Sequence, residues 1–173
     1  FTLLRAMGHG TGKSLVEESM VKEASGIIDA VAATSTTLLL PVDFVCAGSP
    51  AAGVKTTVSG RDIEDGQMGL DIGPGSVEVF TEAIRAARTV VWNGPMGLFE
   101  IPPFDRGTLA VAKAMIDATT AGATSVVGGG DTAAAVNDLG LATGFTHVST
   151  GGGASLRMLE GGPMPGVEAL DRA

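Results

Sequence analysis

The stretch Gly128-Gly129-Gly130-Asp131-Thr132 follows the short apolar run Ser125-Val126-Val127 and leads toward a helix-like stretch. Two further glycine-rich breaks have the same setting: Asn93-Gly94-Pro95-Met96-Gly97 follows the run 89–92, and Gly151-Gly152-Gly153-Ala154-Ser155 follows the run 147–150. Glycine has no Cβ, so backbone N–H groups there can approach a ligand closely. A helix that starts just beyond the break adds unpaired donors and a positive dipole end, which suits phosphate. The repeated pattern predicts a nucleotide site along one edge of a parallel sheet.

The segments around the breaks alternate between strands and helices. We predict strands at 36–41, 42–45, 54–59, 89–92, 125–127 and 147–149. We predict helices at 14–33, 76–87, 108–120, 132–139 and 154–160, with a capping box at Ser14 and Glu17, a turn at 71–75, and a tail at 161–166 that ends regular structure. This order predicts an α/β fold, a Rossmann-like doubly wound parallel sheet in a three-layer αβα arrangement, incomplete at its N-terminus. Ligands of such sheets lie beyond the carboxyl ends of the strands, where all three breaks fall.

The composition predicts one soluble domain of 173 residues. No apolar run approaches the roughly 18–20 residues needed to cross a bilayer. The net charge of −8 argues against nucleic acid or an anionic membrane as a partner. Cys46 is the only cysteine, which excludes an internal disulfide and favours a reducing compartment. Because the chain begins with Phe1-Thr2-Leu3-Leu4, which resembles the inside of a structured element, we expect a fragment that lacks an N-terminal portion.

A fourth glycine-rich stretch, Gly8-His9-Gly10-Thr11-Gly12-Lys13-Ser14, is similar to a GxxxxGKS phosphate loop. The spacing fails, because the position five residues before Gly12 is Met7 rather than glycine. No acidic residue at the end of an apolar strand offers itself as a magnesium partner. We favour a glycine-rich connection into a capped helix, and a P-loop-type NTPase that uses Lys13 stays open as the alternative.

Several polar residues in the breaks are candidate ligands. Two roles explain the position of Asp131 at a helix start equally well. One is helix capping, and the other is binding of a magnesium ion that lies between the carboxylate and the phosphates. Thr132 offers a hydroxyl and an N–H to a phosphate, and Asn93 offers its amide. Glu100 can accept hydrogen bonds from ribose, although its spacing alone favours a solvated surface charge. The two histidines have no neighbours at metal-ligand spacing, so a zinc site has no support.

Several long motifs, in order along nearly the whole chain, resemble those of phosphoglycerate kinases. They are 39–43 (Leu-Leu-Pro-Val-Asp), 68–74 (Met-Gly-Leu-Asp-Ile-Gly-Pro), 91–100 (Val-Trp-Asn-Gly-Pro-Met-Gly-Leu-Phe-Glu), 128–132 and 149–156 (Ser-Thr-Gly-Gly-Gly-Ala-Ser-Leu), followed by Leu159-Glu160-Gly161 and Leu170.

The resemblance implies a protein of two domains, in which an N-terminal domain binds phosphoglycerate and a C-terminal domain binds Mg-nucleotide. Residues 1–173 are similar to most of the C-terminal domain, and the N-terminal domain is absent from this chain. The implied reaction is reversible phosphoryl transfer between 1,3-bisphosphoglycerate and ADP, giving 3-phosphoglycerate and ATP, in glycolysis or carbon fixation. The implied cofactor is Mg²⁺, with ADP or ATP as substrate. A cytoplasmic monomer is expected, and the sequence leaves a plastid or a glycosome open.

The resemblance also implies roles for individual residues. The nucleotide-binding positions are Gly69 and Leu70 at the adenine pocket, Asn93, Pro95, Gly97 and Leu98 at the nucleotide wall, Glu100 at the ribose, and Gly129, Gly130, Asp131 and Thr132 at the phosphates. Asp131 is the implied metal ligand. The backbone N–H groups of Gly130 and Gly153 would face the moving phosphoryl group and are the implied catalytic groups.

The breaks themselves carry no positive side chain, since 93–100, 125–132 and 149–156 contain neither lysine nor arginine. Phosphoryl transfer needs the charge on the transferring group to be neutralised, and in the family the basic residues that do so lie upstream of Phe1. We therefore expect the isolated chain to bind nucleotide weakly and to turn over negligibly. A nucleotide-binding fragment with no catalysis of its own is the second alternative.

Overall fold

The computed structural model describes residues 1–170, whose contacts form two units. The first unit contains Phe1–Ala83 and Met96–Val111. The second contains Ile84–Pro95 and the residues from Ala112 onward. Each unit has its own sheet, and the strands are antiparallel in the first unit and parallel in the second.

The sheet of the first unit is antiparallel. Its elements up to the third strand are α1 (Thr2–Ala6), a 3₁₀ turn (Glu18–Met20), α2 (Val21–Ala32), β1 (Phe44–Ala47), β2 (Thr57–Ser59) and β3 (Met68–Ile72), and α3 (Pro74–Ala86) begins directly after. The strands lie in the order β2-β1-β3, with β1 antiparallel to both neighbours. Leu4, Phe44, Cys46 and Ile63 form a buried cluster, against which Phe1 packs with its ring centroid 5.0 Å from that of Phe44.

The sheet of the second unit is parallel. The elements from β4 onward are β4 (Thr89–Asn93), α4 (Arg106–Thr120), β5 (Thr124–Gly128), α5 (Gly130–Asp138), a 3₁₀ turn (Ala142–Gly144), β6 (His147–Ser149), α6 (Gly152–Leu159) and α7 (Pro165–Leu170). The strands lie in the order β4-β5-β6, and helices connect them as parallel strands require. Trp92, Val127 and Val136 are buried in this unit. The predicted α/β class with a parallel sheet is confirmed.

The predicted helix 14–33 is wrong in its first third. Regular α-helix begins at Val21, and Ser14 and Glu17 form no capping box. Ser14 Oγ instead accepts a hydrogen bond from Gly69 N at 2.9 Å, and Glu17 N donates to Thr2 Oγ1 at 3.0 Å. These partners are distant in sequence, so local spacing did not reveal them.

Other boundaries also differ from the prediction. The run 36–41 forms no strand, β1 begins two residues later than predicted, and the predicted turn at 71–75 is divided between the end of β3 and the start of α3. The tail does not end regular structure, because α7 begins at Pro165. Within residues 1–170, no helix has the length and apolar character that crossing a membrane requires.

Candidate functional site

The three glycine-rich breaks follow the ends of the three parallel strands. Asn93 at the end of β4 pairs in register with Gly128 at the end of β5, and Gly128 pairs with Ser149 at the end of β6. Carboxyl ends of parallel strands share one edge of the sheet, which is where ligands of such sheets bind. We call the three breaks the first (93–97), second (128–132) and third (151–155) bends.

The second and third bends approach each other most closely at Gly129 and Gly152. An ideal Cβ placed on Gly152 would lie 2.6 Å from the Cα of Gly129 and 2.9 Å from Oδ1 of Asn93. Gly129 itself has a φ of +95°, a conformation that side chains disfavour. Glycine at both positions therefore allows the starts of α5 and α6 to lie side by side.

The first bend is held to the start of α5 by Thr132. Gly94 N donates a hydrogen bond to Thr132 Oγ1 at 2.7 Å, and Thr132 is only 1% exposed. The hydroxyl that the sequence assigned to phosphate thus already accepts a hydrogen bond from the protein, while the N–H of Thr132 lies in the first turn of α5. Sequence reasoning missed this contact, because its partners are 38 residues apart.

Backbone donors at the two helix starts have no partner in the described part of the chain. The N–H groups of Gly130, Asp131 and Thr132 in α5, and of Gly153 and Ala154 in α6, find no acceptor among residues 1–170. Free amides are normal in a first helical turn. The space beside the glycine is open at both helix starts, because an ideal Cβ on Gly130 or Gly153 would meet no atom within 4 Å. Packing within the chain therefore does not require glycine at 130 or 153.

Asp131 is exposed and lies in the first turn of α5, but it does not cap the helix. The capping position is Gly129, and no side chain makes a capping hydrogen bond there. Residues 1–170 contain no group of three or more His, Cys, Asp and Glu side chains that could hold a metal ion. A single carboxylate still fits Mg²⁺, which often binds through one or two carboxylates together with water and substrate phosphates.

The candidate adenosine residues lie in the first unit, on β3 and in the segment 96–105. Leu98 N donates to the carbonyl oxygen of Leu70 at 2.8 Å, which brings these two predicted residues together. Glu100 is exposed. Gly69 has a packing role as well, because a Cβ there would overlap with the ring of Phe1.

Asp71, at the end of β3, is a buried carboxylate that the sequence reasoning placed in a turn. Its Oδ2 accepts a hydrogen bond from Gly107 N at 2.7 Å, and its Oδ1 accepts one from Ile72 N at 2.8 Å. Burial raises the pKa of Asp71 to about 6; the hydrogen bonds from Gly107 and Ile72 oppose this shift, and the nearby charge of Asp105 adds to it. No local sequence pattern indicates this contact, because Gly107 lies 36 residues away.

The glycine-rich stretch 8–14 does not form an anion-binding loop. Most of its amides donate within the first unit: Gly8 N to Arg5 O, His9 N to Leu4 O, Gly10 N to Asp62 Oδ1, Lys13 N to Gln67 O and Ser14 N to Thr11 O. A Cβ on Gly12 would overlap with the carbonyl oxygen of Gln67, so this glycine serves close packing. No helix starts at Ser14 to supply a dipole, which leaves the P-loop alternative without structural support.

Three parallel strands that end in glycine-rich bends, beside two adjacent helix starts, define an α/β protein suited to an anionic ligand. A model of the family "Phosphoglycerate kinase" matches residues 1–162. The chain belongs to the phosphoglycerate kinase family.

Individual relatives agree with this assignment. The chain is 51% identical over 172 residues to a phosphoglycerate kinase of Chlorobium limicola, covering 99% of this chain and 43% of the relative. It is 54% identical over 172 residues to one of Thermus thermophilus, covering 99% of this chain and 44% of that protein. The solved structure of phosphoglycerate kinase from Coxiella burnetii matches with a TM-score of 0.90 and 38% identity, over 96% of this chain and 43% of that chain. This chain thus spans less than half the length of these relatives.

Proposed function

We propose that this chain is most of the Mg-nucleotide-binding domain of a phosphoglycerate kinase, which acts together with a phosphoglycerate-binding domain. The whole protein would transfer a phosphoryl group reversibly between 1,3-bisphosphoglycerate and ADP, in glycolysis or carbon fixation. We also propose a cytoplasmic monomer. Besides family membership, the observation that carries the proposal is the pair of helix starts at Gly130 and Gly153, where backbone N–H groups have no acceptor within residues 1–170.

The phosphates are assigned to the second unit. The N–H groups of Gly130, Asp131 and Thr132 lie in the first turn of α5 and would donate to phosphate oxygens. Gly129, which has no side chain, would let a phosphate approach the backbone closely. The N–H of Gly153 would face the transferring phosphoryl group from the neighbouring helix start. Asp131 would hold Mg²⁺, and the bound ion would offset phosphate charge that the amides alone leave uncompensated.

The adenosine is assigned to the remaining candidates. Gly69 and Leu70 would line the adenine pocket and Glu100 would accept hydrogen bonds from the ribose hydroxyls. The nucleotide wall would be formed by Asn93, Pro95, Gly97 and Leu98. The support for these roles is the position of each residue in a matched motif, together with the hydrogen bond from Leu98 N to Leu70 O.

The bends lack positive side chains, so we propose that the 173-residue chain binds nucleotide weakly and has negligible turnover by itself. In-line phosphoryl transfer depends on neutralising and positioning the moving group, and free amides supply only partial charges. A coupled assay with 1,3-bisphosphoglycerate and ADP tests this directly. Near-normal turnover by the isolated chain would contradict it.

The binding proposal is tested by titrating MgADP into the wild-type chain and into Gly130→Ala and Gly153→Ala. A methyl group at either position has room in the free protein but would stand between the amides and a phosphate. We expect affinity to fall about tenfold in each variant, the effect of losing one charge-assisted hydrogen bond. Nuclear magnetic resonance titration suits the weak binding expected.

The matched control is Gly26→Ala. Gly26 also lies within a helix, α2, and a Cβ there would meet nothing within 4 Å. This variant should bind MgADP like the wild type. Equal affinity of wild type, Gly130→Ala and Gly153→Ala would overturn the assignment of the phosphates to these helix starts.

A further inference from the structure

We propose that Asp71 is a positioning residue whose buried carboxylate holds the segment 96–107 against strand β3. This segment carries Leu98 and Glu100, so its position would determine how well the protein binds adenosine. The adenosine part of the inference rests on the function proposed above. The positioning part concerns the fold of the first unit and can be tested without any ligand.

One carboxylate contacts both ends of the segment. Near its start, a Cβ on Gly97 would overlap with Oδ1 of Asp71. At its end, Gly107 N donates to Oδ2 at 2.7 Å, and a Cβ on Gly107 would also overlap with Oδ1. Glycine at both positions lets the backbone close over the carboxylate, and a side chain at either would push the segment away.

Capping of α4 does not by itself explain a buried carboxylate. Asp105 directly precedes the helix and is a good capping residue type for the amide of Gly107. The amide of Gly107 donates instead to Asp71, which is only 2% exposed and belongs to strand β3. Because burying a carboxylate is costly, its use here indicates a requirement beyond helix formation. Holding 96–107 on β3 supplies that requirement.

Other contacts keep the segment in the same place. Met96 N donates to Thr108 Oγ1 at 3.1 Å, and Leu98 N donates to Leu70 O at 2.8 Å. Leu70 immediately precedes Asp71, so one part of β3 holds the segment through a carbonyl and a carboxylate. An amide in place of the carboxylate offers one acceptor oxygen to two backbone donors, Gly107 N and Ile72 N, so one of these N–H groups would face an NH2 group instead of an acceptor.

The charge of Asp71 responds to pH near the physiological range. The pKa of Asp71 is raised to about 6, chiefly by burial, and the charge of nearby Asp105 adds to the shift. Arg106 contacts the Asp71 carboxylate through its backbone N–H. Val45, which pairs in register with Asp71 on β1, carries no charge. Burial under the segment raises the pKa, so the held state takes up a proton more readily than the open state, and the segment should be held more firmly as pH falls through about 6.

The test is amide hydrogen exchange of residues 96–107 in Asp71→Asn, compared with Asp43→Asn. Asp43 is the matched control, because its carboxylate accepts from Gly75 N at 2.9 Å and Ser76 N at 2.7 Å at the start of another helix, α3. We expect exchange in the segment to become about tenfold faster in Asp71→Asn and to stay unchanged in Asp43→Asn. Unchanged exchange in Asp71→Asn would overturn the proposal.

Adenosine is the ligand probe, because it has no phosphate and does not depend on the bends of the second unit. Its affinity should fall several-fold in Asp71→Asn and remain at the wild-type value in Asp43→Asn. Faster exchange with unchanged adenosine affinity would overturn the link to binding. If MgADP bound Gly130→Ala and Gly153→Ala as it binds the wild type, the proposed function would fail while the exchange result stood.

A pH series on the wild type covers the case in which Asp71→Asn does not fold. After correction for intrinsic exchange rates, the segment 96–107 should exchange more slowly at pH 5 than at pH 7, because opening the segment exposes Asp71 and returns its pKa to the ordinary value. Asp105→Asn should move the midpoint of this change to lower pH, since it removes the charge that adds to the raised pKa of Asp71. No change between pH 5 and pH 7 would overturn the proposal.

Discussion

The stretch 8–14 and the bends that precede α5 and α6 are both rich in glycine, yet they use it in opposite ways. In 8–14 most of the amides donate to carbonyl and carboxylate oxygens of the same unit, and Gly12 allows close packing on Gln67. At Gly130 and Gly153 the amides have no acceptor within residues 1–170, and the space beside each Cα is open. Glycine content alone therefore does not predict a phosphate site, because a phosphate also needs amides that the protein leaves without an internal acceptor.

The same contrast recurs within the bends. Gly129 and Gly152 are packed against each other, whereas the residue that follows each of them has free space beside it. Gly129 and Gly152 allow the two bends to pack closely, whereas Gly130 and Gly153 leave the backbone N–H groups accessible. Substitutions at the two pairs should therefore affect different properties, which makes the comparison open to experiment.

The largest effect is expected for Gly152→Ala. Its methyl group would collide with the backbone of Gly129, so the free energy of unfolding should fall by about 1–3 kcal/mol, as in other overpacked sites. Urea denaturation measures this change. Gly153→Ala is the control and should be as stable as the wild type or slightly more stable, because alanine favours helix. Equal stability of Gly152→Ala and Gly153→Ala would break the distinction between packed and open glycines.

The next effect concerns Asp131→Asn and Mg²⁺. If Asp131 holds the ion beside the phosphates, adding Mg²⁺ should strengthen ADP binding to the wild type. The factor by which Mg²⁺ raises ADP affinity should be about tenfold smaller in the variant. ADP affinity is measured with Mg²⁺ and with excess chelator. Asp138→Asn, at the other end of α5, is the control and should behave like the wild type. An undiminished Mg²⁺ effect in Asp131→Asn would remove Asp131 as the metal ligand.

A smaller effect is expected for Thr132→Val. The substitution keeps the shape of the side chain but removes the acceptor of Gly94 N, which should lower the free energy of unfolding by about 1 kcal/mol. Thr132→Ser retains the hydroxyl and should preserve most of the stability. If Thr132→Val proved more stable than Thr132→Ser in denaturation experiments, the hydrogen bond between the first and second bends would not account for the stability that Thr132 provides.

The smallest effect is expected for Lys13→Ala. Because the stretch 8–14 has its amides engaged within the first unit, MgADP affinity should stay within about twofold of the wild type, well below the effect of losing a charge-assisted hydrogen bond. The same titration as for Gly130→Ala provides the measurement. A collapse of binding would show that 8–14 is a phosphate loop after all.

Sequence patterns predicted the parts of the fold that local interactions determine. Strands β4 to β6 and helices α3 to α6 were placed within about two residues, since their apolar periodicity and flanking glycines are local signals. The antiparallel sheet of the first unit was missed, and so was the late start of α2. These features depend on contacts such as Ser14 with Gly69, which are 55 residues apart.

The candidate site divides in the same way. The positions of Gly130, Asp131 and Gly153 at helix starts followed from spacing alone. The contacts of Thr132 with Gly94 and of Asp71 with Gly107 did not, because side chains that hydrogen-bond distant backbone leave no periodic trace in the sequence. The roles of such residues emerge only when the partners of each amide are traced.

The open space beside Gly130 and Gly153 has a practical consequence for protein engineering. Alanine fits at both positions and forms helix more readily than glycine, by up to about 1 kcal/mol. A directed-evolution campaign that rewards heat resistance alone would therefore tend to fix alanine there. Under the proposed function, the selected variants would unfold at higher temperatures and each alanine would weaken MgADP binding about tenfold, so a ligand-binding step belongs in every round of selection.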